Sequence, residues 1–356
     1  MNMTNLPIQK WRHMPIEGCV CTNGKPYLLS FKRGKVNKLL VNFLGGGVSW
    51  SEETAARPIT IGAMLKKTET FYTPDVPPIP LKIACNMGLL KARGQRNPLH
   101  DWHVLNIPYA SADFYLGDND YPYQSVKGAG KVLYHHGQKN VMAALALLKE
   151  FFPQTPDTLL IMGQSAGGFG ALAYAPQIQA LYPACENTVM YSEGSHIHSS
   201  LWPEIARDVW KVNPELMTYI KSADLVADLF RYARDHMPDS TLFLHSNTVW
   251  DKMLVEMMYK MNYGKKIVNA EGLKEFHDTL LHVTRTLKEE IPHYFYYLTD
   301  YERSQKDGTT AHIFAGTPKL LYNEMQDSMS VATWLCRGIE GKSVDIGSKF
   351  LYEEGI

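Results

Sequence analysis

The chain has 356 residues, which is long for one domain but within the range of a large α/β domain that carries insertions. The chain contains 36 lysines and arginines and 36 aspartates and glutamates. Its net charge therefore gives no reason to expect a nucleic-acid or anionic-membrane partner. Five scattered cysteines do not predict a disulfide framework, and no run approaches the roughly 18 apolar residues of a membrane span.

The first third of the chain predicts β-structure followed by a long irregular stretch. An Asn-Gly turn signal predicts a hairpin over 20–31, and the near-continuous apolar run at 38–44 predicts a strand that is buried on both faces. That strand runs into the three glycines at 45–47. Over 48–102 the sequence shows no clear periodicity of a helix or a strand. The proline-rich run at 73–80 in this stretch excludes a helix or a central strand. We interpret this stretch as an insertion over the active face.

Strands alternate with helices in the rest of the chain. Strands are predicted at 103–109, 157–162, 187–192, 241–246 and 293–298, and helices at 131–152, 166–181, 250–259, 273–289 and 328–338. The alternation favours a mostly parallel central sheet with helices on both faces, the α/β-hydrolase class. We predict a single domain over 1–356, in which the insertions at about 48–102 and 195–239 form a cap over the active site.

The run Gly163-Gln164-Ser165-Ala166-Gly167 fits G-x-S-x-G, the nucleophile elbow of α/β-hydrolases. A serine at the tip of such a sharp strand-to-helix turn takes a strained backbone conformation that only small neighbours permit. The turn also places its hydroxyl at a helix N-terminus, where developing negative charge is favoured. The alternative is a glycine-rich turn with an N-capping serine. The apolar strand before the run and the helical pattern after it favour the elbow.

A serine hydroxyl becomes a nucleophile when a histidine takes its proton and a carboxylate orients that histidine. In α/β-hydrolases the chain order is serine, acid, histidine, because each follows a later strand. His312 lies in the loop after the last predicted strand and is the predicted base. Asp251 follows the strand at 241–246 and is the predicted acid, with Glu193, after the preceding strand, as the reserve candidate.

A tetrahedral intermediate needs two backbone N–H donors. One is expected from Ala166, directly after the nucleophile, and the other from the glycine loop, at Gly46 or Gly47. The loop lacks the Gly-Lys-Ser/Thr ending of a phosphate-binding Walker loop. Trp50 and Gln164 are candidate substrate contacts because they flank the expected site.

Two pairs of histidines, at 135–136 and at 196 and 198, raise the question of a metal. Neither pair has a third ligand at a supporting spacing, so we expect no metal and no cofactor. The polar N-terminal stretch lacks the apolar core of a signal peptide, and we therefore expect a cytoplasmic protein, or a secreted one if a leader has been removed.

The chain resembles the pectin acetylesterase/Notum family of carboxylesterases. The stretches that carry this resemblance are collinear with the family: Leu44-Gly45-Gly46-Gly47 with Trp50, Ile107-Pro108-Tyr109 with Asp113, Gly117-Asp118, His136-Gly137 with Asn140, the run 163–168, Asp251, and Ala311-His312. The resemblance implies that Ser165, Asp251 and His312 form a catalytic triad. The secreted plant and animal members carry leaders and many disulfides, and because this sequence predicts neither, it resembles a remote, bacterial branch of that family.

Two departures from the family pattern affect the site. Val48 and Ser49 intervene between the glycines and Trp50, which leaves the second oxyanion donor open between Gly46, Gly47 and Val48. Leu254 stands where the family often has glutamine.

The resemblance implies hydrolysis of O-acyl esters, acetyl on a polysaccharide in one branch of the family and fatty acyl on a protein in the other. Our preferred hypothesis is a serine carboxylesterase that hydrolyses an acetyl or longer acyl ester of a small molecule or a glycan through an acyl-enzyme on Ser165. The same machinery would serve a thioesterase or a peptidase. A different class of function, a non-catalytic binding protein on a hydrolase scaffold, is the third hypothesis. The sequence leaves the acyl chain length, the alcohol and the oligomeric state open.

Overall fold

The structure is a computed structural model that describes residues 7–94 and 96–352. Its strands are β1 (Trp11–Val20), β2 (Pro26–Lys32), β3 (Lys38–Phe43), β4 (His103–Ile107), β5 (Asn119–Gln124), β6 (Gly130–His135), β7 (Thr158–Gln164), β8 (Thr188–Glu193), β9 (Leu242–Thr248) and β10 (Tyr294–Thr299). Eight of them form one sheet in the order β1-β2-β4-β3-β7-β8-β9-β10. The pairs β1–β2 and β2–β4 are antiparallel, and all other neighbours in this sheet are parallel.

Helices cover both faces of this sheet. They are α1 (Glu52–Ala55), α2 (Ile61–Leu65), α3 (Pro78–Ala84), α4 (Gly137–Phe151), α5 (Ala166–Ala180), α6 (Trp202–Glu204), α7 (Pro214–Met217), α8 (Leu225–His236), α9 (Lys252–Tyr263), α10 (Ala270–Glu290), α11 (Pro318–Tyr322), α12 (Val331–Ile339) and α13 (Lys349–Tyr352). Within the described parts of the chain, no helix combines the length and apolarity needed to cross a bilayer.

The sheet divides the core into two apolar clusters. Alternate residues of a strand point to opposite faces, and β3 illustrates this, because Leu39 and Val41 belong to one cluster while Leu40 belongs to the other. All three side chains are fully buried. This two-sided burial explains why the strand appears in the sequence as a continuous apolar run.

One predicted helix is shorter than the sequence pattern indicated. The predicted span 131–152 begins as strand β6, which pairs antiparallel with β5, and the helix α4 starts only at Gly137. Residues 132–135 alternate between more exposed and buried positions, as an edge hairpin does, and Gly24, at the tip of the β1–β2 hairpin, lies against Tyr134. The helical periodicity belongs to the part that follows His136.

The exclusion of a helix from the proline-rich run at 73–80 is wrong at its end, because α3 starts at Pro78. Proline is tolerated in the first turn of a helix, where its missing N–H would have no partner within the helix.

The carboxyl ends of the parallel strands lie along one edge of the sheet. The glycine loop follows β3, Ser165 follows β7, and Asp251 follows β9. His312 lies in the connection that follows β10. Ligands of open parallel sheets bind at this edge, so the strand order brings the sequence-predicted residues to one place.

Candidate active site

Ser165 lies at a sharp turn between β7 and α5. Its φ of +54° and ψ of −126° fall in a region that residues other than glycine rarely occupy, and such strain persists only where surrounding contacts hold it. One such contact is direct, because the Ser165 N–H donates to the Glu193 carbonyl at 2.7 Å. The side chain lines a cavity at the carboxyl edge of the sheet.

Both glycines of the G-x-S-x-G run are required by close backbone approaches. A Cβ on Gly163 would lie 1.9 Å from the Gly167 carbonyl oxygen, and a Cβ on Gly167 would lie 2.0 Å from the Phe43 carbonyl oxygen. The end of β7, the start of α5 and the end of β3 are therefore closer together than any side chain would allow. This packing is the physical reason for the glycine spacing.

Asp251 and His312 form a buried pair beside this turn. The Oδ2 atom of Asp251 lies 2.6 Å from Nδ1 of His312, and the aspartate side chain is only 2% exposed. The other carboxylate oxygen, Oδ1, accepts the Leu254 N–H at 3.0 Å and caps the N-terminus of α9. One side chain therefore starts a helix and orients the imidazole.

The loop that carries His312 is tied to the end of β9 and the start of α9. The Thr310 N–H donates to the Trp250 carbonyl at 2.9 Å. The Thr248 hydroxyl donates to the Ala311 carbonyl at 2.8 Å. Both contacts hold the two residues directly before the histidine, so the position of the ring depends on the backbone as well as on Asp251.

The protonation of His312 is governed by burial and by two carboxylates. Burial lowers the pKa of the imidazole, but Asp251 and, more weakly, Glu193 raise it, and the net direction is above the ordinary value of 6.5. Its Nε2 atom is buried and has no hydrogen-bond partner among the described residues. His312 and Ser165 line the same cavity without a direct hydrogen bond, a contact that often tightens only when substrate binds.

The glycine loop after β3 passes directly against Ser165. A Cβ on Gly45 would lie 2.8 Å from the Ser165 Cβ. The Val48 N–H donates to the Phe71 carbonyl at 2.9 Å, so this donor is already engaged. This contact excludes Val48 from the three candidates for the second oxyanion donor. The N–H groups of Gly46 and Gly47 remain as candidates, because the described residues supply no acceptor for either.

The conformation of the loop explains why glycine is needed at one of these two positions. Gly47 has a φ of +82°, and a Cβ there would lie 1.9 Å from the Phe71 carbonyl oxygen. The N–H of Ala166 is in the first turn of α5, where backbone donors have no partner within the helix. Gly46, Gly47 and Ala166 all line the cavity together with Ser165.

The cavity has a volume of about 840 Å³ and a mainly apolar wall. Its lining includes Leu44, Phe71, Leu89, Phe114, Met162 and Phe169. The segment 48–102 supplies the largest share of the wall, whereas Ile197 alone among the described residues of 195–239 lies there. The longest helix of that second segment, α8, packs against α5 instead. The cap role of these two segments stays a prediction.

A stacked aromatic pair forms part of the cavity wall. The rings of Phe114 and Phe169 are parallel within 2°, with centroids 4.1 Å apart. The buried Asp113 carboxylate holds the loop that carries Phe114, since it accepts the N–H groups of Tyr115 at 2.9 Å and of Gly117 at 3.2 Å. Asp113 is one of the residues on which the family resemblance rests, and it helps to fix the loop that places Phe114 in the cavity wall.

Glu193, the reserve candidate for the acid, contacts the loop and not the imidazole. Its carboxylate accepts the Ala315 N–H at 3.0 Å, the Phe314 N–H and the Tyr191 hydroxyl at 3.0 Å. Burial raises the pKa of this carboxyl group. In the described structure no hydrogen bond joins it to His312, so it holds the backbone just after the histidine. No motif in the sequence pointed to this arrangement.

The two predicted substrate contacts lie in different surroundings. Gln164 lines the cavity, and its Nε2 donates to Asn42 Oδ1 at 2.7 Å. Trp50 is buried behind the wall, where its ring meets Phe71 edge-on with centroids 5.3 Å apart, and it does not line the cavity. The Val48-Ser49 insertion displaces the tryptophan from the glycines by two positions, which accounts for its place behind the wall.

The histidine pairs noted in the sequence have partners of other kinds. His136 Nε2 lies 2.6 Å from Asp120, and His198 Nδ1 lies 2.7 Å from Asp224. His135 contacts the Ser111 carbonyl at 3.0 Å. Across residues 7–94 and 96–352, no group of three or more histidine, cysteine, aspartate or glutamate side chains is arranged to hold a metal ion.

Comparison with known proteins gives a family and a fold. A model of the pectinacetylesterase family matches residues 4–199. Two crystal forms of the Wnt deacylase Notum from Drosophila have the same fold, with TM-scores of 0.61 and sequence identities of 16% and 14%; each alignment covers 94% of this chain and 95% of the other. No curated protein sequence matches this chain. The α/β-hydrolase class predicted from the sequence is confirmed.

Proposed function

Because this chain belongs to the pectinacetylesterase family and is therefore a carboxylic ester hydrolase, we propose that it is a serine carboxylesterase that cleaves an O-acyl ester with Ser165. One observation carries the proposal. His312 is paired through Nδ1 with Asp251, while its Nε2 has no described partner in the cavity that Ser165 also lines. A base oriented in this way, beside a strained serine, is what a nucleophilic mechanism requires.

The first half of the reaction forms an acyl-enzyme. Ser165 Oγ attacks the ester carbonyl carbon, and its proton passes to His312 Nε2. The carbonyl oxygen becomes an oxyanion, for which the backbone N–H groups of Ala166 and of Gly46 or Gly47 are the donors. When the intermediate collapses, the alcohol leaves with the proton held on Nε2. Asp251 stays ionised and stabilises the imidazolium in between.

The second half releases the acid. Water attacks the acyl carbon, gives its proton to His312 Nε2, and a second oxyanion forms at the same donors. Collapse of this intermediate breaks the bond to Ser165 Oγ, which takes the proton back. The acid product and the free serine result, so the cycle needs no metal or cofactor.

The cavity supports an acyl chain longer than acetyl. A volume of about 840 Å³ with a mainly apolar wall exceeds the needs of a two-carbon group, and burying each further methylene in such a wall favours binding by about 0.8 kcal/mol. The Drosophila protein of the same fold is described as a deacylase. We therefore propose a medium or long acyl group, with the alcohol part of the substrate outside the cavity.

A panel of p-nitrophenyl esters from acetyl to palmitoyl tests this proposal directly. We expect kcat/KM to rise from acetyl to a medium-chain ester, and a fluorophosphonate probe to label Ser165. Aminoacyl anilides and acyl thioesters belong in the same panel, because the motif does not distinguish the leaving group. If the protein hydrolyses only the anilides, it is a peptidase and not an esterase. If the folded protein is not labelled at Ser165 by the fluorophosphonate, the result favours a non-catalytic binding protein.

A further inference from the structure

Several large apolar side chains are exposed on segments that also supply lining residues of the cavity. We call this set the mouth rim: Ile59, Ile61, Met64, Leu65, Ile79, Ile83, Met87, Met253 and Ile267. About half of the large apolar side chains that are exposed among the described residues belong to it. Scattered exposed apolar residues are ordinary, but a concentration at one place usually marks an interaction surface.

Two short helices carry the most exposed members of the mouth rim. The helix α2 buries none of its residues, and Ile61 and Leu65, one turn apart, are 79% and 80% exposed. In α3, Leu81 faces the core while Ile79 and Ile83 point outward, at 72% and 57% exposure. Neither helix needs these outward side chains for its packing in the described structure.

The mouth rim is continuous with the cavity. Ile59, Met87 and Met253 both line the cavity and remain partly exposed, so they mark where the apolar wall reaches the surface. The helix α2 lies in the chain between the lining residues Ile59 and Thr70. Three members of the mouth rim therefore lie on the wall of the cavity that Ser165 also lines, and each of the others lies within five residues of a lining residue in the chain.

Positive charge accompanies this apolar surface, although the whole chain is neutral. The segments 59–68, 76–87 and 264–268 contain Lys66, Lys67, Lys82, Lys265 and Lys266 and no aspartate or glutamate. Four of the five lysines are exposed, and no carboxylate of the described residues forms an ion pair with any of them.

The acidic residues next to the first two segments are already paired, and Glu271, three residues after the third segment, is exposed and accepts the Tyr259 hydroxyl at 3.3 Å. Glu69 pairs with Arg57 at 2.8 Å and lies 3.5 Å from Lys260, and Asp75 pairs with Lys25. Glu256, on the wall near Met253, is half-buried. The positive charge of the mouth rim is thus not balanced within its own segments.

We propose that the mouth rim docks on an anionic phospholipid surface. Apolar side chains that project from short helices insert at the boundary of headgroups and acyl chains, and flanking lysines are attracted to anionic headgroups. An acyl chain could then pass from the lipid layer into the cavity without crossing water. The inference rests on the proposed function for this use of the cavity, but the docking itself requires no hydrolysis.

Vesicle co-sedimentation of the Ser165→Ala protein tests the docking separately from catalysis. Sucrose-loaded vesicles of phosphatidylcholine are compared with vesicles that contain about one third phosphatidylserine. We expect binding to be tighter on the anionic vesicles. Ile61→Ser with Leu65→Ser should weaken partitioning about tenfold or more on both vesicle types. Lys66→Gln with Lys67→Gln should weaken it roughly fivefold per lysine on the anionic vesicles only.

The turn between β5 and β6 offers a matched control. Val126 is 75% exposed and is followed by Lys127, so Val126→Ser with Lys127→Gln changes the same kinds of side chain outside the mouth rim. This control should bind vesicles as the parent protein does. In the Ser165 background, all these variants should hydrolyse a water-soluble acetyl ester at the parent rate, which verifies that they fold.

Three results would overturn the proposal. One is that the Ser165→Ala protein binds neither type of vesicle. Another is that the mouth-rim variants bind as well as the control. The third is a dimer in analytical ultracentrifugation that Ile61→Ser with Leu65→Ser dissociates, without vesicle binding, since the mouth rim would then be an interface between two copies of this chain. A failure of ester hydrolysis would leave the vesicle result intact and would count against the proposed function alone.

Discussion

The backbone N–H of Ser165 donates to the carbonyl of Glu193 at 2.7 Å, so the turn that carries Ser165 is anchored on the residue that also holds the loop of His312. The Glu193 carboxylate accepts the N–H groups of Phe314 and Ala315. Directly before them, Ile313 has a φ of +32°, which is strained for a β-branched residue. We infer that Glu193 is a positioning residue that joins two parts of the site.

Glu193→Gln should lower kcat by about 10- to 100-fold, because the amide presents a donor to backbone N–H groups and a shift of about 1 Å in a catalytic group costs up to that much. The variant also loses the negative charge that helps to raise the pKa of His312. The acid limb of kcat/KM against pH should therefore move to lower pH. Tyr191→Phe, which removes only the hydroxyl that donates to this carboxylate, is the control. An unmoved acid limb in folded Glu193→Gln would contradict the role.

Ser165→Ala should lower kcat by about 10⁶, the loss seen when a serine-protease nucleophile is removed. The protein should stay folded and should no longer react with a fluorophosphonate. Ser192→Ala is a suitable control, because this buried serine pairs with Ser195 and does not line the cavity. A loss of less than about tenfold in Ser165→Ala would remove the serine from the mechanism.

Asp251→Asn should lower kcat by about 10⁴, because the amide no longer fixes the imidazole tautomer or stabilises the imidazolium. Asparagine caps helices as well as aspartate does, so α9 should persist and the melting temperature should change little. Steady-state kinetics together with thermal unfolding separate the two effects. If Glu193→Gln proved the more damaging of the two substitutions, the acid would have to be reassigned.

The raised pKa of His312 predicts how activity and stability depend on pH. Catalysis needs the neutral imidazole, so kcat/KM should rise with pH through a value above 6.5. The stability effect has the opposite sign, since the protonated ring is favoured in the folded state. Its contribution is fully present below the unfolded pKa and is lost as the pH rises through the folded value. Urea unfolding of the parent and of His312→Gln between about pH 5 and 8 should show a difference that shrinks as the pH rises.

Ala84→Phe should shorten the preferred acyl chain, because Ala84 lines the cavity on α3 and a phenyl ring there would take up part of its volume. We expect kcat/KM for a decanoyl ester to fall by about tenfold or more, with the acetyl ester nearly unaffected. The rate of fluorophosphonate labelling at Ser165 serves as the internal check on the catalytic groups. Equal losses across the ester series would show that this part of the wall does not contact the acyl chain.

Features with a local steric or topological cause could be predicted from the sequence. The elbow at Ser165 was visible because Gly163 and Gly167 must be glycine for β7 and α5 to meet, and this constraint lies within five residues. The chain order of Ser165, Asp251 and His312 followed from the alternation of strands and helices, since parallel strands bring their carboxyl ends to one edge. The structure places Asp251 and His312 in contact, as that order predicts.

Other features were decided by contacts between residues that are far apart in the chain. The sequence leaves Val48 open as an oxyanion donor, whereas in the structure its N–H is paired with the Phe71 carbonyl. Glu193 looked like a reserve acid, but its distance along the chain from Phe314 hid the hydrogen bond that ties it to the histidine loop. The sequence does not reveal the mouth rim either, because the exposure of its side chains depends on how distant parts of the chain pack. An apolar residue in a sequence predicts burial, and only the packing of the complete chain determines which apolar side chains find no partner.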